Sequence, residues 1–388
     1  GSGPVQNPLD RRTSVKMRRW FHFVAGLVAA VASAPAPALG QEGMDWDDRR
    51  ASLEAQLPRW MAEANVPGLA IAVVSIDSVW SRGFGVLEAG GEGRVGPETL
   101  FEAASLSKPV FARMVFAEVG RGTINLETPL LDYWSYPDLE EEPWTDRVTG
   151  RMVLSHRSGL PNWRRDQPLS FGFEPGTRFG YSGEGYVYLE AILAYLRGEP
   201  LEARVQRTVL RPLGMERSSF LFEPSSTDYA LPHDSEGHAQ EKRPAPPPGN
   251  PAASLHTTAA DYGVFVQTIL RETHDDPRVL AAVTDRPTPV DTGLAWGPGW
   301  GLEYRDDRPG PALWHWGDNG PFKAFVYLDP VQGLGFVFFT NSSNGLALTS
   351  SVLGVLFPGP HPLLAWFDYD QLDRGSGDAS DATVSLRR

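Results

Sequence analysis

Residues 48–64 carry apolar side chains at helical spacing (Leu53, Leu57, Trp60, Met61), and the following run from Leu69 to Ile76 has the β-branched character of a buried strand. A helix therefore leads into a strand, and a second strand is predicted over 79–86. A Gly-rich turn between Gly90 and Gly96 leads on to Thr99-Leu-Phe-Glu-Ala-Ala-Ser105, after which helical patterning runs from Leu106 to about Val119 and stops at Gly120 and Gly122. From Thr145 to Asp285 the periodicity is mainly helical, over 148–156, 185–196, 201–210 and 258–271, with Pro- and Gly-rich connections. Residues 224–251 are the least patterned, and the segment from Arg243 to Pro251 reads as a semi-extended loop. Strand patterning returns over 300–304, 312–316, 323–328 and 333–340, followed by a helix over 346–356. Strands near both ends with helices between imply one sheet built from distant segments, 45–144 and 290–370, with a helical subdomain over 145–289 inserted into it.

The chain has 388 residues, 41% of them hydrophobic and 21% charged, which is ordinary for a globular protein with a sizeable core. A formal net charge of −13 has the wrong sign for binding phosphate backbones or anionic lipid, so no nucleic-acid partner is expected. The absence of cysteine excludes disulfides, thiolate metal ligands and a Cys nucleophile.

The first forty residues read as leader and targeting sequence. Arg11, Arg12, Lys16, Arg18 and Arg19 precede an apolar run from Trp20 to Ala34, and Ala38 and Gly40 suit a cut before Gln41. That arrangement resembles a secretory signal, so the expected location is secreted or periplasmic, with no stable membrane insertion after processing. Without residues 1–40 the net charge becomes −17, which favours a soluble monomer. Residues 371–388 are expected to form a disordered tail.

Of the 35 basic residues only four are lysine, at positions 16, 108, 242 and 323. Where arginine serves almost everywhere, a retained lysine is a candidate for the one task arginine cannot perform, which is to lose its proton and act as a base. Lys108 lies three residues after Ser105, so on a helical turn the amine and the hydroxyl share a face. At a strand-to-helix junction the Ser105 N–H could also stabilise an oxyanion. Alone, Ser-x-x-Lys reads more readily as a helix cap followed by a solvated lysine.

Ser105-Leu-Ser-Lys108-Pro, Leu154-Ser-His-Arg-Ser-Gly-Leu-Pro161, Tyr181-Ser-Gly183, Pro212-Leu-Gly-Met215 and His315-Trp-Gly317 resemble, in that order, the serine β-lactamase and penicillin-binding-protein superfamily. The likeness runs from about residue 50 to 357 and is greatest to the class C branch, which includes esterases and D-peptidases. It implies an antiparallel sheet flanked by helices, with an inserted helical subdomain. It also implies a nucleophile at Ser105, a base at Lys108, and a second proton carrier at Tyr181 made accessible by Lys108 and His315. His315-Trp-Gly317 would lie on a strand lining the cleft, and the N–H groups of Ser105 and Asp318 would form the oxyanion hole. No metal or cofactor is implied.

Two positions depart from the family pattern. Gly183 stands where an Asn side chain is usual, and Trp316 follows His315 where Lys and a small hydroxyl residue are usual. Both changes weaken the recognition expected of a β-lactamase and point to ester or small amide substrates, with Gly183, Glu184, Trp316 and Gly317 as candidate substrate contacts. β-Lactamase or D-peptidase activity and a silent penicillin-binding-like receptor are the alternatives. Trp296, Trp300 and Trp316 could line an aromatic pocket or pack in the core. His156 is read as structural and Lys323 as solvated, and His233 with His238 lacks a third zinc ligand.

Overall fold

The computed structural model describes residues 45–224 and 228–367; the expected signal segment and C-terminal tail lie outside them. Helix α1 (Trp46–Glu63) precedes the hairpin β1 (Gly68–Ser75) and β2 (Val79–Gly85), then the short β3 (Phe101–Glu102), a 3-10 turn (Ala104–Leu106) and α2 (Ser107–Gly120). The helical stretch holds α3 (Gly150–Leu154), α4 (Gly183–Arg197), α5 (Leu201–Val205), a π-helical turn and α6 (Arg211–Leu213). After β4 (His256–Thr257) come α7 (Ala259–Asp275), α8 (Pro277–Thr284) and six strands: β5 (Thr288–Asp291), β6 (Leu294–Gly297), β7 (Trp300–Tyr304), β8 (Pro311–Asp318), β9 (Lys323–Asp329) and β10 (Leu334–Thr340). Two helices follow, α9 (Thr349–Leu356) and α10 (Pro362–Trp366).

Eight strands form one antiparallel sheet in the order β2-β1-β10-β9-β8-β7-β6-β5. Leu69 pairs with Thr340 and Ser75 with Leu334, so the two distant ends of the chain meet at the β1–β10 ladder. The unbroken apolar run of β1 follows from burial on both faces. Ala70, Ala72 and Val74 face one core, while Leu69, Ile71 and Val73 face a second core with α1, α9 and α10. By sequence α7 falls inside the 145–289 segment, yet it packs across β1: a Cβ on Gly263 would lie 2.8 Å from both Ala72 Cβ and Val79 Cγ1. The first core continues without a break from these strands into α4 and α5 through residues such as Phe111, Leu189 and Val205. Among the described residues no helix is long and apolar enough to cross a membrane.

Side chains begin the helices that matter for the site. Ser182 Oγ accepts from Gly185 N at 2.9 Å at the start of α4, and Thr258 Oγ1 accepts from Asp261 N at 3.0 Å at the start of α7. Each satisfies an amide that the first helical turn leaves without a partner.

Candidate active site

Ser105 sits half-buried in the 3-10 turn that feeds α2, and one turn on the Lys108 amine donates to its Oγ at 3.0 Å. The turn is held open by Ala104, whose φ of 48° is left-handed and costs about 1–2 kcal/mol for a residue with a Cβ. Neighbouring bonds hold that strain in place. Ser107 Oγ donates to Ala104 O at 2.6 Å and accepts from Leu255 N at 3.0 Å, while Ala103 N donates to Leu255 O at 2.8 Å. The strand β8 approaches from the other side, and Gly317 is required there: a Cβ would lie 2.5 Å from Ala103 O.

The Lys108 side chain is fully buried and donates also to Ala252 O at 3.0 Å. Among the described residues no carboxylate offsets its desolvation, so burial pushes its pKa well below the ordinary lysine value. The amine lies 4.7 Å from the Tyr181 ring centre and 5.6 Å from that of Tyr186. An amine in this setting can be neutral at working pH and take a proton from Ser105.

Tyr181 is clamped from both sides by His156. Gly180 N donates to His156 O at 2.8 Å and Ser182 N to His156 Nδ1 at 3.0 Å, and the imidazole lies 4.2 Å from the phenol ring between centres. The sequence reading of His156 as structural missed this link to Tyr181. Its own left-handed φ of 54° and the Gly180-Tyr-Ser182 backbone it meets are tertiary features with no local signature. The Tyr181 hydroxyl is buried without a hydrogen-bond partner, and burial raises its pKa well above the ordinary tyrosine value, with Ser105 partly offsetting.

His315 lies on β8 facing the same side as Leu313 and Gly317, 6.2 Å from the Tyr181 ring between centres. Its Nδ1–H donates to Trp316 O at 2.7 Å, which leaves Nε2 as a buried lone pair without a partner. Burial first, and Lys108 second, pull its pKa down to about 3, so it is neutral at pH 7. Lys108 and a neutral imidazole therefore face Tyr181.

The remaining expected contacts separate. Strand alternation turns Trp316 to the opposite face of β8, where it is 4% exposed and packs with Trp314, Trp366 and Phe367, meeting the site through the Tyr181 ring at 4.9 Å and the His315 ring at 5.5 Å. Trp296 joins it at 5.9 Å, whereas Trp300 faces the other core. Trp316, expected as a substrate contact, is thus a support behind Tyr181. The Glu184 carboxylate is not turned to substrate: it accepts from Arg164 N and Arg164 Nε, both at 3.1 Å. The Asp318 carboxylate pairs with Lys323 at 2.6 Å and accepts from Gly320 N at 2.8 Å. Lys323, expected in solvent, is 6% exposed. His233 uses both ring nitrogens structurally, with Asn341 O at 2.9 Å and Ala89 N at 3.0 Å.

A family model described as "Beta-lactamase" matches residues 51–350. The chain belongs to the beta-lactamase family. Relatives within the beta-lactamase family include penicillin-binding protein 4 of Amycolatopsis lactamdurans, 28% identical over 74% of this chain and 83% of the relative. Esterase EstB of Burkholderia gladioli is 26% identical over 76% of this chain and 90% of its own. The solved structure of D-alanine carboxypeptidase AmpC from Burkholderia cenocepacia shares the fold with a TM-score of 0.68 at 21% identity, covering 80% of this chain and 99% of that one. This beta-lactamase-family chain is accordingly a serine hydrolase of the β-lactamase and penicillin-binding-protein superfamily.

Proposed function

We propose that the protein cleaves carboxylic esters through an acyl-enzyme on Ser105. The observation that carries this reading is the buried Lys108 amine, 3.0 Å from Ser105 Oγ and without a carboxylate partner. Lys108 takes the hydroxyl proton as Oγ attacks the substrate carbonyl, forming a C–O bond. The oxyanion is received by the N–H groups of Ser105 and Asp318. Collapse breaks the bond to the alcohol, which leaves with a proton relayed from Lys108 through the Tyr181 hydroxyl. Water, deprotonated by the same pair, then attacks the acyl-enzyme; the acid departs and Ser105 recovers its proton.

Ester substrates are favoured because Gly183 brings no side-chain amide to hold an acylamino group, and because the neutral His315 offers no cation for a substrate carboxylate. EstB supports the same reading. Penicillin-binding protein 4 and the D-alanine carboxypeptidase support a second one, cleavage of β-lactams or D-alanyl peptides, on the shared Ser-x-x-Lys and Tyr arrangement. The basic, apolar and small-residue order of residues 11–40 supports export as the setting of either activity.

A panel of p-nitrophenyl esters from acetate to octanoate, nitrocefin and a D-Ala-D-Ala peptide tests the choice. Short-chain esters are expected to give the highest kcat/KM. Hydrolysis of nitrocefin or the peptide with the esters untouched would overturn the ester reading, and no turnover of any class would favour a silent binding protein.

A further inference from the structure

The position that lacks its usual side chain is not empty. A Cβ built on Gly183 would lie 2.6 Å from Trp163 Cη2, 2.8 Å from Trp163 Cζ3 and 2.8 Å from Asn162 O. Real Cβ atoms do not approach other heavy atoms so closely, so the indole of Trp163, with the Asn162 carbonyl beside it, occupies the room that any side chain at 183 would need.

The indole is held there although it is 39% exposed. Its two chain neighbours are both tied to the start of α4. Asn162 accepts from Gly183 N through Oδ1 at 3.1 Å and through its carbonyl at 3.1 Å, and that carbonyl accepts from Glu184 N at 3.1 Å as well. Arg164 binds the Glu184 carboxylate by backbone and side chain and reaches Asp138 Oδ2 at 2.6 Å. Ser182 Oγ adds a bond to Pro161 O at 2.9 Å. A large aromatic side chain kept exposed by a loop this firmly anchored, without a ring partner among the described residues, is placed to meet something other than the protein. It lines a cavity of about 450 Å³ together with Tyr181, Leu160 and Phe173.

We propose that Trp163 is the specificity-determining side chain of this site. Its indole replaces a hydrogen-bonding amide by an aromatic plate beside Tyr181, so the site accepts plain acyl groups and rejects acids carrying an α-acylamino group. The buried donors and acceptors of such a group would find no partner against the ring, and an unpaired polar group is where a site discriminates most strongly. The inference deepens the ester reading and rests on it for the identity of the nucleophile.

The test uses the full-length protein with Trp163→Ala, Gly183→Asn and both changes together. Two reversible Ser-directed probes, butylboronic acid and acetamidomethylboronic acid, are measured by calorimetry, beside thermal unfolding and p-nitrophenyl butyrate turnover. The wild type is expected to bind the butyl probe more tightly, and Trp163→Ala to shift the affinity ratio toward the acetamido probe by at least about tenfold. Gly183→Asn alone is expected to lower Tm through collision with the indole and the Asn162 carbonyl, and Trp163→Ala to recover part of that loss in the double variant, the carbonyl contact remaining. A ratio unmoved by Trp163→Ala, or additive Tm changes across the cycle, overturns the proposal. Binding of neither probe overturns this inference and the acyl-enzyme reading together, whereas a shifted ratio without ester turnover overturns the ester reading alone.

Discussion

Lys108→Met replaces the buried amine by an unbranched apolar side chain of similar length, and its two consequences have different signatures. Kinetically it removes the general base, for which a loss of about 10²–10⁴ in kcat/KM is expected, or about 3–5.5 kcal/mol at 1.36 kcal/mol per tenfold. In the folded state it leaves Ala252 O, now bonded at 3.0 Å, without its donor, a cost of about 1–3 kcal/mol set against relief of the amine's desolvation. The sign of that sum is less informative than its dependence on pH. Because burial depresses the Lys108 pKa, the unfolded chain binds more protons than the folded one between the depressed value and about 10.4. Wild-type stability therefore rises with pH across that window relative to the variant, with a slope approaching about 1.4 kcal/mol per pH unit. Urea unfolding of both proteins at pH 7, 8, 9 and 10 measures this, since other titrating groups cancel in the difference. A difference that stays flat from pH 7 to 10 would mean that Lys108 keeps its proton when folded, and the base assigned to Ser105 would be lost with it.

Two further outcomes follow from the buried polar atoms around the nucleophile. Tyr181→Phe removes a hydroxyl that has no hydrogen-bond partner, so unfolding free energy should stay unchanged or rise slightly while ester kcat falls about 10²–10⁴-fold; retained turnover would remove Tyr181 from proton transfer. His315, at about 3, His256, at about 4, and His156, lowered by burial, are neutral when folded but protonate near 6.5 when unfolded. Their contribution is present above about 6.5 and is lost as pH falls toward those folded values, at up to about 1.4 kcal/mol per pH unit for each histidine. His315→Asn should therefore flatten the fall in unfolding free energy between pH 6.5 and 4, and an unaltered slope would show that the imidazole is not buried as described.

The fold was legible where periodicity was strong. The runs at 69–76, 312–316, 323–328 and 333–340 became central strands, and their separation in sequence already implied a sheet closed by distant segments. The family motifs pointed to Ser105, Lys108, Tyr181 and His315, and the structure gathers them at one place. Scarcity of lysine proved a signal of burial: Lys108, Lys242 and Lys323 are each no more than 6% exposed, in a chain that leaves its surface to arginine. The reading failed where an answer depended on which neighbour a side chain meets. Glu184 is claimed by Arg164 and Trp316 by the back of the sheet, the one partner remote in sequence and the other set by strand facing. Trp163 had no periodic or motif context at all. Its importance emerges only because Gly183, itself read as a missing group, lies under its ring.

The central claim is that Ser105 becomes acylated with the aid of the Lys108 amine. Incubation with a fluorophosphonate, followed by intact mass and peptide mapping, tests it most directly. One adduct per chain on Ser105, absent from Ser105→Ala and slowed in Lys108→Met, is expected; an adduct on another residue, or undiminished ester turnover by Ser105→Ala, would contradict it.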